Sequence, residues 1–215
     1  DKNIKKLNGK PLFAYILSAA KKSRYINRII CSTDSVKYKK LINKYGGETP
    51  FLRSKKFSKD NSPETDFIKD LIKNLRIKQN YVPDIVVRLL ATCPFQKTKD
   101  IDDAIKIVLK DNYDSSVVIS KAKQHPEKAL KINGKYKKYV TTYIDNNPLK
   151  VGSKLNRQQF NEAYFRSNVL VCKRKILEKH NSLSSKKNGF VITPYQIDID
   201  SIEDFKYAEY LIKKK

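Results

Sequence analysis

The chain has no methionine, three cysteines and two histidines, and no apolar run that approaches the ~20 residues a membrane-spanning helix needs. Each shortage removes a class of protein. Cys31, Cys93 and Cys172 stand far apart, at or beside apolar segments. An odd, unclustered set argues against a disulfide framework or a zinc site and for a reducing compartment, the cytoplasm. His125 and His180 are too scattered to bind a metal together. There is no signal-peptide pattern and no internal repeat. With no methionine at its start or anywhere else, the chain opens on Asp1-Lys2-Asn3 and reads as a piece of a longer protein.

Acid is also scarce. Against 46 Lys+Arg there are 22 Asp+Glu, giving a net charge of +24. Such a balance fits a nucleic-acid binder, a biased genomic composition or an enzyme with an anionic small substrate. The lysines are scattered through nearly every segment rather than gathered in a tail. With 215 residues, 40% of them hydrophobic, the chain can bury one α/β core with a small appendage.

Strand-like and helix-like stretches alternate from residue 11 to 120. Pro11 sits where a helix begins, followed by the stripe Leu12, Phe13, Ile16, Leu17 and Ala20. Arg28–Thr33 reads as a short buried strand ending at the polar corner Ser32-Thr33-Asp34, which is a helix cap or a ligand corner. A helix through Tyr38, Leu41, Ile42 and Tyr45 stops at Gly46-Gly47. Thr49–Leu52 reads as a strand, Arg53–Pro63 as a polar loop, and Phe67, Ile68, Leu71, Ile72 and Leu75 as one helix face. Asp84–Leu90 is the clearest central strand, and Pro94 ends it. A helix through Ile101–Leu109 and a strand Ser115–Ser120 follow. This order predicts an α/β fold, Rossmann-like, with a mostly parallel sheet. Residues 121–162 depart from it: Asn133-Gly134 suits a type I′ hairpin turn, and an irregular polar stretch follows. The excursion is a lid or a dimer contact. The core thus comprises 1–120 and 163–215.

Near the end stands Ile197-Asp198-Ile199-Asp200-Ser201. Read as a strand, it puts both isoleucines on one face and both carboxylates on the other. Ser201, with Asp204 three residues on, is a capping box for a last helix bearing Phe205, Ala208, Leu211 and Ile212. Two carboxylates on one strand face are either a solvated strand end or a seat for a hard cation such as Mg2+, which binds through one or two carboxylates plus phosphates.

Several short pieces occur in one order: Lys2-Asn3, Gly9-Lys10-Pro11-Leu12, Ser32-Thr33-Asp34, Phe51-Leu52-Arg53, Thr92-Cys93-Pro94, His125-Pro126, Arg157-Gln158, Arg166-x-Asn168 and Ile197-Asp198-Ile199-Asp200. Together they resemble, over essentially the whole chain, the cytidylyltransferases that activate nonulosonic acids: the CMP-sialic acid synthetases and their pseudaminic and legionaminic acid relatives. The resemblance implies a nucleotide-diphospho-sugar transferase type of fold with a dimerisation excursion. It implies transfer of CMP from CTP to the anomeric hydroxyl of a 2-keto sugar acid, with pyrophosphate leaving. The expected partners are CTP, a nonulosonic acid and a second copy of the chain; a membrane and nucleic acid are not expected partners. The resemblance further implies that Asp198 and Asp200 hold Mg2+, with Asp198 also able to help deprotonate the hydroxyl. Arg157 would face the sugar carboxylate or the phosphates, which a planar guanidinium suits. Lys2 would meet phosphate and Asn3 the base or ribose. Arg53 and the Asp60–Glu64 loop, including Ser62 and Glu64, would recognise cytosine. Leu90, Thr92 and Arg166 would border the sugar.

The chain departs from the pattern in three places. The family's first strand and phosphate-cradling loop come before the Lys-Asn pair, whereas nothing precedes Asp1 here; a protein starting at Asp1 is expected to be inactive. Leu90 stands where sialic acid enzymes often have Gln, and Cys93 replaces a serine. Cys172 stands in place of an aromatic residue. The choice of sugar is therefore open, as is guanylyl rather than cytidylyl transfer.

Overall fold

The computed structural model describes residues 1–59, 61–133, 139–152 and 160–214. Among them the strands are β1 (Lys6–Leu7), β2 (Lys10–Pro11), β3 (Ile85–Leu89), β4 (Ser115–Lys121), β5 (Leu130–Asn133), β6 (Tyr139–Thr142), β7 (Tyr164–Lys173) and β8 (Asn188–Ile192). The helices are α1 (Leu12–Lys21), α2 (Val36–Lys44), α3 (Glu64–Gln79), α4 (Thr98–Lys110), α5 (Arg174–His180) and α6 (Ile202–Lys213). None of these helices is long and apolar enough to cross a membrane.

The central sheet has the order β3-β7-β4-β8. β7 pairs antiparallel with both β3 and β4, while β4 and β8 pair in parallel. The α/β class is as expected, but the sheet is mixed rather than mostly parallel. The reason is that β7 returns from the excursion against the common direction of β3, β4 and β8 and inserts between two of them.

Alternation along β7 builds a three-layer core. Val169 and Val171 point to one face and pack with Ile16 and Ala19 of α1 and Ile101, Ala104, Ile105 and Val108 of α4. Leu170 and Cys172 point to the other and meet Ile68 and Ile72 of α3 and Leu177 of α5. Cys172, fully buried, is thus a packing residue beneath α3 and α5. Ile101 is also fully buried, and its truncation to Ala would cost about 2–5 kcal/mol.

Near the start, the β1–β2 turn has positive φ at Asn8 (45°) and Gly9 (78°), the backbone a two-residue type I′ turn requires. It places Leu7 and Leu12, both fully buried, against Phe205 and Ala208 of α6. Pro11 precedes the first helical residue by one position and serves as the N-cap residue of α1. β5 and β6 form a separate two-stranded sheet; the turn joining them, with Gly134 and Tyr136, lies outside the described residues.

Three expected strands come out differently. Arg28–Thr33 and Thr49–Leu52 reduce to one parallel bridge, Ile30 to Glu48. They are held instead by Cys31 N donating to Glu48 O at 2.7 Å, Thr49 Oγ1 to Cys31 O at 2.9 Å and Arg53 N to Thr33 O at 2.8 Å. The last strand falls at Asn188–Ile192, earlier than expected, and Thr193–Asp200 runs on outside any ladder. Ile197 and Ile199 are nevertheless buried and Asp200 exposed, because the apolar side chains alone are drawn under α6.

Candidate active site

Three segments meet around Asp198. The first is the turn after β3, closed by Cys93 N donating to Leu90 O and Gln96 N to Cys93 O, both at 3.4 Å. The second is β7, which carries Asn168. The third is the extended run from Thr193 to Asp200. Ile199 N donates to Thr92 O at 2.9 Å, pinning the third segment to the first. Asp100, buried in the first turn of α4, accepts from Gln96 Nε2 at 3.1 Å and Gln196 Nε2 at 3.0 Å. One carboxylate beneath the site thus fastens the same two segments a second time. Its place near a helix N-terminus stabilises the negative charge.

At the surface of this assembly Asn168 Nδ2 donates to Asp198 Oδ2 at 2.8 Å and lies 2.8 Å from Cys93 Sγ. Asp198 Oδ1 is buried and has no hydrogen-bond partner. An unpaired buried carboxylate oxygen costs free energy unless a cation or donor completes it. Asp200, two residues on, is exposed and pairs with Lys2 Nζ at 2.9 Å. Lys2 comes from the 3-10 turn Lys2–Ile4, so opposite ends of the chain meet here.

The Cys93 thiol is pushed up to about 11, chiefly by burial; the negative charges of Asp198 and Asp200 add to the shift, and the Asn168 amide opposes it. Cys93 is therefore a neutral thiol at physiological pH and not a nucleophile.

The donor set suits Mg2+. Two carboxylates supply hard oxygen ligands, and one of their oxygens is buried and unmatched. Among the described residues no group of three or more acidic, histidine or cysteine side chains gathers around a cation position. An ion held here would thus draw its other ligands from substrate and water, as Mg2+ does at phosphate sites.

Of the other residues singled out in the sequence, Thr92 joins this site through its carbonyl, and Leu90 lies at the start of the same turn. Arg166 is exposed on β7, paired in register with Ile119 of β4. Asn3 is exposed beside Lys2. Arg53 is engaged elsewhere: Nε donates to Ser32 Oγ at 3.1 Å, Nη2 to Ser32 O at 2.9 Å, and its guanidinium stacks 4.1 Å from the Phe67 ring centre. It thereby ties the Ser32-Thr33-Asp34 corner to α3. Ser62 Oγ donates to Lys56 O at 3.5 Å. Glu64 is paired with Arg88. Arg157 and Asp60 lie outside the described residues. A cavity lined by Asn8, Lys10, Tyr15, Pro94, Phe95, Gln96 and Ile212 sits behind the Thr92–Pro94 turn and does not include the two carboxylates.

Sequence reasoning gave no role to Asn168, Asp100 or Arg88. Asn168 had a trace in the Arg166-x-Asn168 pattern; Asp100 looked like any acid in a first helical turn.

This α/β/α core has counterparts among solved structures. The solved CMP:2-keto-3-deoxy-manno-octonic acid synthetase, complexed with CTP, superposes with a TM-score of 0.70 at 11% identity, covering 99% of this chain and 92% of that one. The 4-diphosphocytidyl-2C-methyl-D-erythritol synthase of Anaerococcus prevotii gives 0.66 at 17% identity, with 97% and 88% covered. These likenesses concern the fold alone.

The family is shown by sequence. The cytidylyltransferase family model matches residues 1–215, and the chain belongs to that family. It is 29% identical to the post-translational flagellin modification protein B of Campylobacter coli, covering 100% of this chain and 89% of the relative. It is 26% identical to the pseudaminic acid cytidylyltransferase of Campylobacter jejuni, with 99% and 89% covered. Against the N-acylneuraminate cytidylyltransferase A of Danio rerio the identity is 27% over 97% of this chain, which spans 46% of that relative.

Proposed function

We propose that the protein transfers CMP from CTP to the anomeric hydroxyl of a nonulosonic acid. Family membership and the names of the relatives support the nucleotide and the sugar class. The observation that carries the site is the buried, unpartnered Oδ1 of Asp198, two residues before the exposed Asp200.

In the reaction the anomeric oxygen attacks the α-phosphorus of CTP. The bond from that phosphorus to the bridging oxygen of the β-phosphate breaks, and pyrophosphate leaves with the electron pair. The hydroxyl proton goes to a carboxylate, for which Asp198 is the candidate, or to solvent. Catalysis of this kind is mostly positioning and charge neutralisation. Asp198 and Asp200 would hold Mg2+, which supplies charge neutralisation on the phosphates when bound. Lys2 would exchange Asp200 for a phosphate oxygen, and the net charge of +24 draws both anionic substrates in. Arg157 would bind the sugar carboxylate or the phosphates, Leu90, Thr92 and Arg166 would border the sugar, and Asn3, Arg53, Ser62 and Glu64 would lie towards the nucleotide.

We further propose a cytoplasmic homodimer joined through the excursion, where Leu130, Ile132, Tyr139, Tyr143 and Ile144 are exposed apolar residues. CTP is a cytoplasmic substrate, and the three cysteines are free thiols.

The test is pyrophosphate release by the full-length protein with CTP or GTP against N-acetylneuraminic, legionaminic and pseudaminic acids. Turnover with CTP and at least one of these acids, dependent on Mg2+, is expected. No turnover with any acid, or turnover with GTP alone, overturns the reading.

A further inference from the structure

We infer that Asn168 is a positioning residue for Asp198: it holds one carboxylate oxygen and so leaves the other to a metal–phosphate substrate. The inference rests on the reading above.

The first observation is the backbone. Val117 of β4 pairs with Leu170 of β7, but Ile119 pairs with Arg166. A step of two residues on one strand meets a step of four on the other, so β7 bulges across 167–169. The two extra residues leave the in–out alternation in phase on either side but interrupt the ladder to β4 between them, which frees the side chains of 167–169 to be re-aimed. Asn168 lies in its middle, and its carbonyl is caught from the β3 side by Arg88 Nη1 at 3.4 Å. Flanking residues Val169 and Arg166 keep regular core and surface positions. The register shift thus turns one side chain towards the third segment while the strand stays in the sheet.

The second observation is what the amide does there. Its two N–H groups face two different acceptors, Asp198 Oδ2 and Cys93 Sγ, each at 2.8 Å. The orientation is forced, because the flipped amide would set its own oxygen against the carboxylate. With Oδ2 held by the amide, Oδ1 of Asp198 is buried and unmatched. Groups that fix a metal-binding carboxylate from behind typically change metal affinity by about 10–100-fold when removed. Cys93 is the other anchor of the amide; as a neutral thiol it accepts weakly, so the carboxylate dominates the pairing.

The experiment titrates Mn2+ by electron paramagnetic resonance into the full-length protein with CTP present, comparing wild type, Asp198→Asn and Asn168→Leu. Leucine keeps the γ-branched shape of asparagine, though it is bulkier, and removes both donors. The expected result is that Asp198→Asn loses the site and Asn168→Leu weakens Mn2+ binding about ten-fold or more, with both variants still unfolding cooperatively. In turnover, the Mg2+ concentration for half-maximal rate rises for Asn168→Leu far more than the KM for CTP, and excess Mg2+ restores much of kcat. If Asn168→Leu does not fold, Asn168→Ser, whose hydroxyl is too short to reach Oδ2, is read in the same way. Wild-type Mn2+ affinity in the Asn168 variant, while Asp198→Asn has lost it, overturns the positioning role alone. Unchanged Mn2+ affinity in Asp198→Asn overturns the metal site and this inference with it. An absence of sugar-acid turnover by wild type would sink the proposed reaction and leave the Mn2+ comparison standing.

Discussion

Arg88 and Glu64 form an ion pair between β3 and the first turn of α3, with Nη2 donating to Oε1 at 2.9 Å and Nε 2.9 Å from Oε2 but without the geometry of a hydrogen bond. Arg88 is only 9% exposed, so its charge depends on this partner. Glu64 also opposes the positive end of α3. Because the carboxylate is committed to Arg88, a structural role competes with the cytosine contact expected of it. Glu64→Gln leaves a buried guanidinium half-paired and is expected to cost about 1–3 kcal/mol, since Glu64 itself is partly solvated. Urea denaturation reads the loss. The KM for CTP separates the two roles: unchanged in Glu64→Gln if the residue serves Arg88, raised if it meets the nucleotide.

Asp200 is the opposite case. It is exposed, and its ion pair with Lys2 lies at the surface. Such pairs contribute about 0–1 kcal/mol. Asp200→Asn is therefore expected to fold as wild type and to abolish turnover, with kcat falling about a hundred-fold or more because a charge on the metal is lost. A melting curve and a steady-state assay with Mg2+ check the two halves separately. Retained activity removes Asp200 from the metal site.

The thiols offer a check on burial. Desolvation pushes Cys93 up to about 11 and Cys172 up to about 12, and neither is on the surface. Their thiolate fraction near neutral pH is negligible, and the thiolate is the reactive form. Ellman's reagent at pH 8 is expected to label both at least a hundred-fold more slowly in the native protein than in urea. Rapid native labelling of Cys93 that also stops turnover would mean that the Thr92–Pro94 turn opens.

How much of this could be read from the sequence varies with the range of the interaction that decides each feature. Helices α1, α3, α4 and α6 stood out because their apolar residues recur at helical spacing, which is local. The alternation from Ile197 to Asp200 was legible too, since burying two isoleucines under α6 needs no hydrogen-bonded neighbour. The place of β8 was not. Asn188–Ile192 follows a Ser/Lys/Asn-rich stretch, and its Phe190 and Ile192 point outward, so its apolar signal is split between faces. Nor does any local pattern say that β7 inserts antiparallel between β3 and β4; that follows from the path of the chain through the excursion. The two carboxylates could be named because they are neighbours. Asn168, Asp100 and Arg88 could not, because the partners that give them their roles, Asp198, Gln196 and Glu64, lie 30, 96 and 24 residues away.

The cap of α6 makes a prediction about acid stability. Asp204 Oδ2 accepts from Ser201 N at 2.8 Å, Ser201 Oγ at 2.8 Å and Asp200 N at 3.1 Å, while Asp204 N donates to Ser201 Oγ at 3.1 Å. These bonds, first among them those from the Ser201 backbone and hydroxyl, hold the Asp204 carboxyl below its ordinary value. A depressed folded-state value means that the unfolded chain binds the proton more readily. The stabilisation is therefore present above the unfolded aspartate value of about 3.9 and is lost as pH falls through the lower folded value. Asp204→Ala should then be less stable than wild type at pH 7, and the gap should close towards pH 2. Ser201→Ala removes the other half of the cap and should cost about 1 kcal/mol at pH 7. Because both residues belong to one box, the double variant should lose less than the two single losses added together. Urea midpoints measured from pH 2 to pH 7 test this: a gap that stays constant with pH, or single losses that simply add, would mean that Asp204 contributes to α6 without the reciprocal cap. The same box fixes the backbone of Asp200, whose N–H is one of its three donors, so Asp204→Ala should also raise the Mg2+ requirement of turnover while leaving the KM for CTP unchanged.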